Sequence, residues 1–254
     1  MTEADKARRF AALHRPGDPL ILYNVWDAGS ARAVAEAGAK AVATGSASVA
    51  AAHGFGDAEE LPLALALANS ERIVRAVDIP VTVDFEGAYA VEPERVAENV
   101  AALAATGAVG CNFEDQVVGG EGLHPVALQA TRIRAARAAA GPDFFVNART
   151  DIFLKAPRDS HDEAMVDAAL PRAHAYAEAG ASGFFPAGLV DLRLVERLCK
   201  ASPLPVNVLP LPGGPEASTY AAAGAARISY GPFPYRAAMK ALKEAAEAAL
   251  RPPG

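Results

Sequence analysis

The amino-acid sequence predicts a (β/α)8 barrel, the TIM-barrel form of the α/β class. Eight short apolar runs rich in Val, Ile and Phe alternate with longer Ala-rich stretches whose charges recur at helical spacing. Eight strand-then-helix units in 254 residues fit a closed barrel better than an open sheet. No linker or low-complexity stretch divides the chain, so we expect residues 1–254 to form a single barrel domain.

The elements follow one another in a regular order. The predicted strands are Leu20–Val25, Ala41–Thr44, Val81–Phe85, Val109–Phe113, Phe144–Ala148, Gly183–Pro186, Pro205–Val208 and Ala226–Ser229. The predicted helices are Ser30–Ala37, Leu61–Val77, Pro93–Thr106, Pro125–Ala139, Asp162–Ala179, Asp191–Ala201, Pro215–Ala223 and Tyr235–Leu250. Gly38, Gly107, Gly180 and Gly224 each follow a predicted helix. Because glycine tolerates the left-handed backbone that closes many helices, these positions predict turns from helix into strand.

Composition limits the class of partner and the compartment. Hydrophobic residues make up 52% of the chain, and the net charge of −6 without a Lys/Arg cluster argues against a nucleic-acid surface. Two cysteines, Cys111 and Cys199, are too few for a disulfide framework and favour a reducing compartment. We find neither an apolar signal core nor an uninterrupted apolar run of about 18 residues. We therefore expect a cytoplasmic protein that does not enter a membrane.

Acidic residues follow two neighbouring predicted strands. Asp84 and Glu86 follow the third strand, and Glu114 and Asp115 follow the fourth. The carboxyl ends of barrel strands meet at one face, where these carboxylates would repel one another unless a cation lay between them. Oxygen ligands with few histidines suit Mg²⁺ or Mn²⁺ better than zinc. The sequence therefore predicts a divalent-cation site, with helix capping or pairing with Arg149 as the structural alternative.

Other polar groups belong to the same predicted face. Arg149 ends the fifth strand, and its guanidinium can hold a substrate carboxylate or phosphonate, pair with Glu114, or do both. The segment Thr44–Ser48 offers N–H groups and hydroxyls to an anion, although such turns are common. Asp27 is predicted to cap the first predicted helix or to orient the metal ligands from behind. His124, in a glycine-rich loop, is a candidate proton carrier. Ser-His-Asp order, Walker loop, zinc spacing and dinucleotide fingerprint are all missing from the sequence.

Five motifs follow one another on successive predicted strand ends. They are Asn24–Ala28, Gly54–Asp57, Val83–Gly87, Phe113–Asp115 and Ala148–Asp151. In this order they resemble the isocitrate lyase and phosphoenolpyruvate mutase superfamily, over a match from about Leu20 to Tyr235. The resemblance implies a Mg²⁺-dependent barrel that acts on small α-keto or 2-hydroxy carboxylic acids through enolate-like intermediates.

The resemblance implies a metal shell by position. Asp84 corresponds to the metal-binding aspartate, which also contacts the substrate. Glu86 stands at the second acidic position, where an aspartate is usual, and Glu114 matches the next carboxylate of the shell. The longer side chain of Glu86 leaves its own role open.

The substrate side of the site is implied in the same way. Arg149 corresponds to the substrate arginine and Asp57 to an aspartate in the loop after the second strand; with His124 these are the candidate catalytic residues. The loop that binds one end of the substrate corresponds to Gly45, Ser46 and Ala47.

The loop after the fourth strand departs from the family pattern. Carbon–carbon lyases carry a catalytic cysteine in a Lys-Lys/Arg-Cys-Gly-His motif there, where this chain has Gly120–His124 with Gly122 in the place of the cysteine. The lysine and asparagine of the mutases are likewise replaced by Gly120 and Gly122. The chain keeps the carboxylates that bind the metal ion but lacks the acid–base residues of this loop. This combination favours decarboxylation of an oxaloacetate-like acid, because the metal ion serves as electron sink and solvent supplies the proton.

Two alternatives stay open. One is a phosphonopyruvate hydrolase or phosphoenolpyruvate mutase, and the other is a non-catalytic protein that binds an α-keto acid. Barrels of this family often pair by exchanging the last helix, and the amphipathic segment Tyr235–Leu250 permits such an assembly. We therefore expect a homodimer or homotetramer that binds a small-molecule carboxylate.

Overall fold

Eight parallel strands form a closed barrel. The computed structural model describes residues 2–251, with strands β1 Leu20–Leu22, β2 Val42–Ala43, β3 Val81–Asp84, β4 Gly110–Glu114, β5 Phe145–Thr150, β6 Gly183–Pro186, β7 Asn207–Val208 and β8 Arg227–Ser229. One run of pairings joins β2 through β6 and another joins β1, β8 and β7, all parallel. Bridges between Val25 and Thr44 and between Phe184 and Val206 close the ring. The predicted barrel is confirmed, and each strand overlaps its predicted range.

Helices cover most of the outside of the barrel. They are α1 Glu3–Ala12, α2 Ala28–Glu36, α3 Ser46–Ala52, α4 Leu63–Ala76, α5 Pro93–Ala105, α6 Val126–Ala140, α7 Glu163–Glu178, α8 Leu192–Ala201, α9 Ala217–Ala222 and α10 Phe233–Ala249, with a short 3-10 helix at Arg158–Ser160. All eight predicted helices are present. The four glycines that follow them have φ between 89° and 96°, which confirms the predicted left-handed turns. None of the helices within residues 2–251 is long and apolar enough to cross a bilayer.

The sequence analysis missed two helices. Helix α1 closes the amino-terminal end of the barrel, where Ala7 and Phe10 pack against inward-facing residues such as Leu22 and Phe145. Helix α3 begins at Ser46, inside the stretch predicted to be a loop. Helix α3 has only seven residues, too few to show a helical period. Five of the ten residues of α1 are charged and only Ala7 and Phe10 are buried, so its apolar face is small. Packing against the barrel stabilises both.

The last helix projects away from the barrel of its own chain. Only Pro234 of the 17 residues of α10 is buried, and Leu242 is 62% exposed. The outer face of β1 exposes Ile21 and Tyr23, at 41% and 46%. In a complete barrel a ring of helices covers such a face. The single chain therefore leaves two apolar surfaces uncovered.

Candidate active site

A pocket of about 220 Å³ lies at the carboxyl ends of the strands, the face on which barrel enzymes carry their active sites. Six of the residues singled out from the sequence line it. They are Gly45, Ser46, Ala47, Asp57, Asp84 and Arg149. The structure therefore brings together the segment that follows β2 and the carboxyl ends of β3 and β5, as the strand-end pattern predicts.

Sequence reasoning missed other polar residues that line this pocket. They are Asn24, Asn112, Ser229 and Arg236. Asn112 and Ser229 lie within strands, where a single polar residue gives little signal. Asn24 lies inside a resemblance motif, which was the available clue. Arg236 lies on α10 and brings a second guanidinium to the pocket. The periodicity of the sequence predicts this helix but does not show that its first turn faces the pocket.

Asp84 forms part of the pocket wall and is held by neutral donors. Its Oδ2 accepts hydrogen bonds from the N–H and the hydroxyl of Ser46, at 3.0 and 2.8 Å. Its Oδ1 accepts from Nδ2 of Asn112 at 3.1 Å. The backbone N–H of Asp84 donates to Oγ1 of Thr44 at 2.9 Å. The donors predicted to hold a substrate anion at Ser46 therefore orient the carboxylate of Asp84 in this structure.

Glu86 belongs to an acidic cluster. Burial raises the pKa of Glu86 to about 8, and the negative charges of neighbouring carboxylates add to the shift. Those neighbours are Asp84, Asp57 and Glu59. Burial also raises the pKa of Glu59. The negative charge of these neighbouring carboxylates forms an environment in which a cation would be stabilised.

The loops that carry this cluster are strained. All five non-glycine residues with positive φ in residues 2–251 lie in them: Ala58, Glu59, Glu86, Ala88 and Tyr89. Hydrogen bonds hold the two loops together: the Glu59 N–H donates to Oε1 of Glu86 at 3.0 Å, and the Tyr89 N–H donates to Oε1 of Glu59 at 2.8 Å. Left-handed backbone at non-glycine residues is uncommon and concentrates at functional sites.

Glu114 does not join this cluster. Its Oε2 lies 2.8 Å from Nη1 of Arg149, and its Oε1 accepts from Gln116 at 3.2 Å. Nε and Nη2 of Arg149 donate to the two oxygens of Asp151 at 2.6 and 2.9 Å. Burial works against the charge of Arg149, but Glu114 and Asp151 outweigh it and raise its pKa. A guanidinium has five N–H groups, so two remain for a ligand.

Asp115 is a structural carboxylate. It is fully buried, and its Oδ2 accepts from Nη1 of Arg172 at 3.0 Å and from the hydroxyl of Tyr176 at 2.8 Å. Its Oδ1 accepts from the backbone N–H of Asp151 at 3.0 Å. These bonds tie the end of β4 to β5 and α7.

His124 lies outside the pocket. It is 6% exposed and borders a separate cavity of about 160 Å³ that also contacts Glu59, Gln116 and Arg132. Burial lowers the pKa of His124, and the positive charges of Arg132 and Arg172 lower it further. The predicted proton-carrier role has no support from this arrangement.

The residues present fit a magnesium ion. Within residues 2–251 no three His, Cys, Asp or Glu side chains form a ready-made metal cluster. Glu114 pairs with Arg149, the structural alternative stated from the sequence, and the ligand set of Asp84, Glu86 and Glu114 stays a prediction. Mg²⁺ commonly uses one or two carboxylates and keeps several waters. The acidic cluster around Asp84 suits that mode of binding.

Comparison with known proteins agrees with the fold. Residues 10–250 match the family model of phosphoenolpyruvate phosphomutase. This chain belongs to the phosphoenolpyruvate mutase family. The family resemblance stated from the strand-end motifs is therefore confirmed, and the chain is an enzyme of the lyase and mutase class that this superfamily comprises.

Three relatives illustrate the range of the family. A protein of Burkholderia cenocepacia J2315, provisionally assigned as a phosphonomutase, is 52% identical with a TM-score of 0.95, covering 98% of this chain and 100% of its own. The structure of 2,3-dimethylmalate lyase is 28% identical with a TM-score of 0.84, covering 99% and 89%. The 2-methylisocitrate lyase of Escherichia coli K12 is 30% identical over 148 residues, 55% of this chain and 47% of that protein.

Proposed function

We propose that this enzyme decarboxylates a small α-keto dicarboxylic acid of the oxaloacetate type, with Mg²⁺ as cofactor. The observation that carries the proposal is the composition of the pocket. Its lining contains carboxylates and guanidinium groups, but no cysteine, histidine, lysine or tyrosine. A pocket with ion-binding groups and without a side chain suited to protonating carbon favours a reaction in which solvent supplies the proton.

Asp84 is the proposed anchor of the ion, and Asp57 and Glu86 complete its surroundings. Asp84 lines the pocket with its orientation set by Ser46 and Asn112. Mg²⁺, once bound, would supply the positive charge that stabilises an enolate oxygen. Mn²⁺ is the expected substitute, because it accepts the same oxygen ligands.

Two arginines support a substrate with two anionic groups. Arg149 belongs to β5, whereas Arg236 follows β8, three strands further around the ring. Each guanidinium can donate to a carboxylate, and the volume of about 220 Å³ suits a small acid. We infer that Arg149 and Arg236 orient the two ends of the acid while Asn24 and Ser229 line the space between them.

The proposed reaction balances without any further reactant. The bond between the β-carbon and its carboxylate breaks, carbon dioxide leaves, and the bonding electrons pass to the adjacent carbonyl as an enolate. Water then protonates the carbon to give the shorter keto acid. Arg149 and Arg236 would hold the cleaved bond in a fixed orientation, which is the main catalytic contribution of the chain's own side chains.

A second candidate is cleavage of a carbon–phosphorus bond, as in a phosphonopyruvate hydrolase or mutase. It is favoured by the relative from Burkholderia cenocepacia with its provisional phosphonomutase assignment. A phosphonate is also dianionic, so the two arginines fit it too. Release of phosphate from phosphonopyruvate would support a hydrolase, and formation of phosphoenolpyruvate would support a mutase.

The test compares the wild-type enzyme with Asp84→Asn and with Asp18→Asn, a control at an exposed carboxylate. Pyruvate formation from oxaloacetate is measured with Mg²⁺, after subtraction of the metal-catalysed rate without enzyme. We expect Asp84→Asn to lose about 100-fold or more in kcat/KM, with an unchanged circular dichroism spectrum, and Asp18→Asn to match the wild type. A wild-type rate no higher than the background would reject the decarboxylase, and parallel phosphonopyruvate assays would then decide the alternative.

We also propose a homo-oligomer in which α10 packs on a second copy. A groove of about 340 Å³ beside the exposed Ile21 and Tyr23 offers an apolar surface, and α10 leaves Met239 and Leu242 uncovered. Light scattering should give more than the 26.2 kDa of one chain. Leu242→Lys should lower the mass, whereas Leu65→Lys, at another exposed leucine, should leave it unchanged. A wild-type mass of one chain would contradict the assembly. The cytoplasmic location remains a prediction.

A further inference from the structure

A buried arginine lies inside the barrel beneath the proposed metal site. Arg227 belongs to β8 and is 1% exposed. Its Nη2 donates to Oδ1 of Asn112 at 3.0 Å, while its Nε and Nη1 have no hydrogen-bond partner within residues 2–251. Arg132 is equally buried but donates to Gln129 Oε1 and to the carbonyl oxygens of Gly87 and Ala90. The charge of Arg227 is thus poorly compensated by comparison.

The charge of Arg227 is kept at a cost. A guanidinium removed from water without a carboxylate partner is unfavourable, and apolar side chains of similar size are commonly tolerated in such places. Burial lowers the pKa of Arg227 to about 10. The negative charge of Asp84 has the largest effect in the opposite direction. The side chain therefore stays protonated at neutral pH.

One amide side chain connects Arg227 to Asp84. Oδ1 of Asn112 accepts from Arg227 and also from Nδ2 of Asn147 at 2.9 Å. Because both of these contacts are donors, the amide nitrogen of Asn112 must face the other way. It donates to Oδ1 of Asp84 at 3.1 Å. Arg227 is thus two hydrogen bonds from the carboxylate, through a buried part of the barrel in which charges act strongly.

We propose that Arg227 is a positioning residue whose fixed positive charge weakens the hold of Asp84 on a divalent cation. The inference rests on the proposed function, in which Asp84 binds Mg²⁺. A positive charge beneath the carboxylate repels the ion, so the ion is held firmly only when an oxo-acid adds its own negative charge. Arg227 thereby couples retention of the metal to the presence of substrate.

Mn²⁺ binding without substrate tests the proposal, with electron paramagnetic resonance to count the free ion. Arg227→Met removes the charge and the donor, Arg227→Gln removes the charge but keeps a donor for Asn112, and Arg227→Lys keeps the charge. We expect Met and Gln to tighten Mn²⁺ binding by about tenfold and Lys to stay close to the wild type. Arg134→Met, at an exposed arginine on α6, should not change it.

The outcomes separate the inference from the proposed function. If the wild type binds Mn²⁺ and the folded Met and Gln variants bind it equally or more weakly, the inference fails alone. If neither the wild type nor any variant binds Mn²⁺, the proposed metal site fails and the inference with it. Thermal unfolding supplies a check on folding, and the Met variant is expected to be at least as stable as the wild type.

Discussion

The carboxylates after β3 and those after β4 look alike in the sequence and differ in their surroundings. Asp84 and Glu86 are held by neutral donors and lie in an acidic cluster. Glu114 and Asp115 instead pair with Arg149 at 2.8 Å and with Arg172 at 3.0 Å. Within residues 2–251 neither Asp84 nor Glu86 forms an ion pair, whereas Glu114 and Asp115 each do.

The difference shows that an acidic strand end is not by itself a metal site. The arginines that neutralise the second pair come from β5 and α7, 35 and 57 residues beyond their partners in the chain. On the β3 side the buried Arg227 reaches Asp84 only through Asn112. Distant residues therefore decide which carboxylates stabilise the fold and which can bind a ligand.

The largest expected effect is on the paired side. Asp115→Ala removes the acceptor for Arg172, Tyr176 and the Asp151 N–H, leaving a poorly exposed guanidinium without its partner. We expect the free energy of unfolding, measured with urea, to fall by about 3–5 kcal/mol. Asp143→Ala, at an exposed aspartate, is the control. A loss below about 1 kcal/mol would show that the pairing contributes no more than a surface ion pair does.

The unpaired side should respond in the opposite direction. Glu86 has a folded-state pKa raised from 4.5 to about 8, so the folded state binds more protons than the unfolded state between these values. This carboxyl therefore lowers stability as the pH rises through that window, and the penalty is complete above it. In metal-free buffer Glu86→Gln should be more stable than the wild type by about 1–2 kcal/mol at pH 8, and equal to it near pH 4.5.

The control for that experiment is Glu92→Gln, at an exposed glutamate before α5. Its stability should follow the wild type at every pH. If the free energy of unfolding changed with pH in the same way for Glu86→Gln and the wild type, Glu86 would ionise as it does in the unfolded chain. The proposed difference between the carboxylates after β3 and those after β4 would then be wrong.

The smallest expected effect concerns His124. Its ring borders a separate cavity, so His124→Asn should reduce kcat/KM less than about threefold, with His174→Asn as a control on α7. A loss of about 100-fold with unchanged folding would show that this loop carries the histidine into the pocket during turnover.

Much of the fold was predictable because its signals are local. The alternation of apolar runs and helical periodicity located all eight strands and the eight helices that follow them, and the glycines at positions 38, 107, 180 and 224 marked turns that need a left-handed backbone. The cap of α2 was also predicted correctly: Oδ1 of Asp27 accepts from the Ser30 N–H at 2.7 Å. Helix α1 carries a local signal that was overlooked, a capping box formed by Thr2 and Asp5. Helix α3 has no side-chain cap and only seven residues, so its sequence gives no such signal.

By itself the sequence determined the barrel and the face that carries the pocket. It also indicated six of the residues that line the pocket, because strand ends converge wherever parallel strands close into a ring. Only the tertiary structure decided how the charges pair. Ion pairs form between atoms a few ångströms apart, and the chain order of Glu114, Arg149 and Arg227 does not encode those distances. For the same reason the sequence did not predict that Arg236 and Asn112 line the pocket, or that His124 lies outside it.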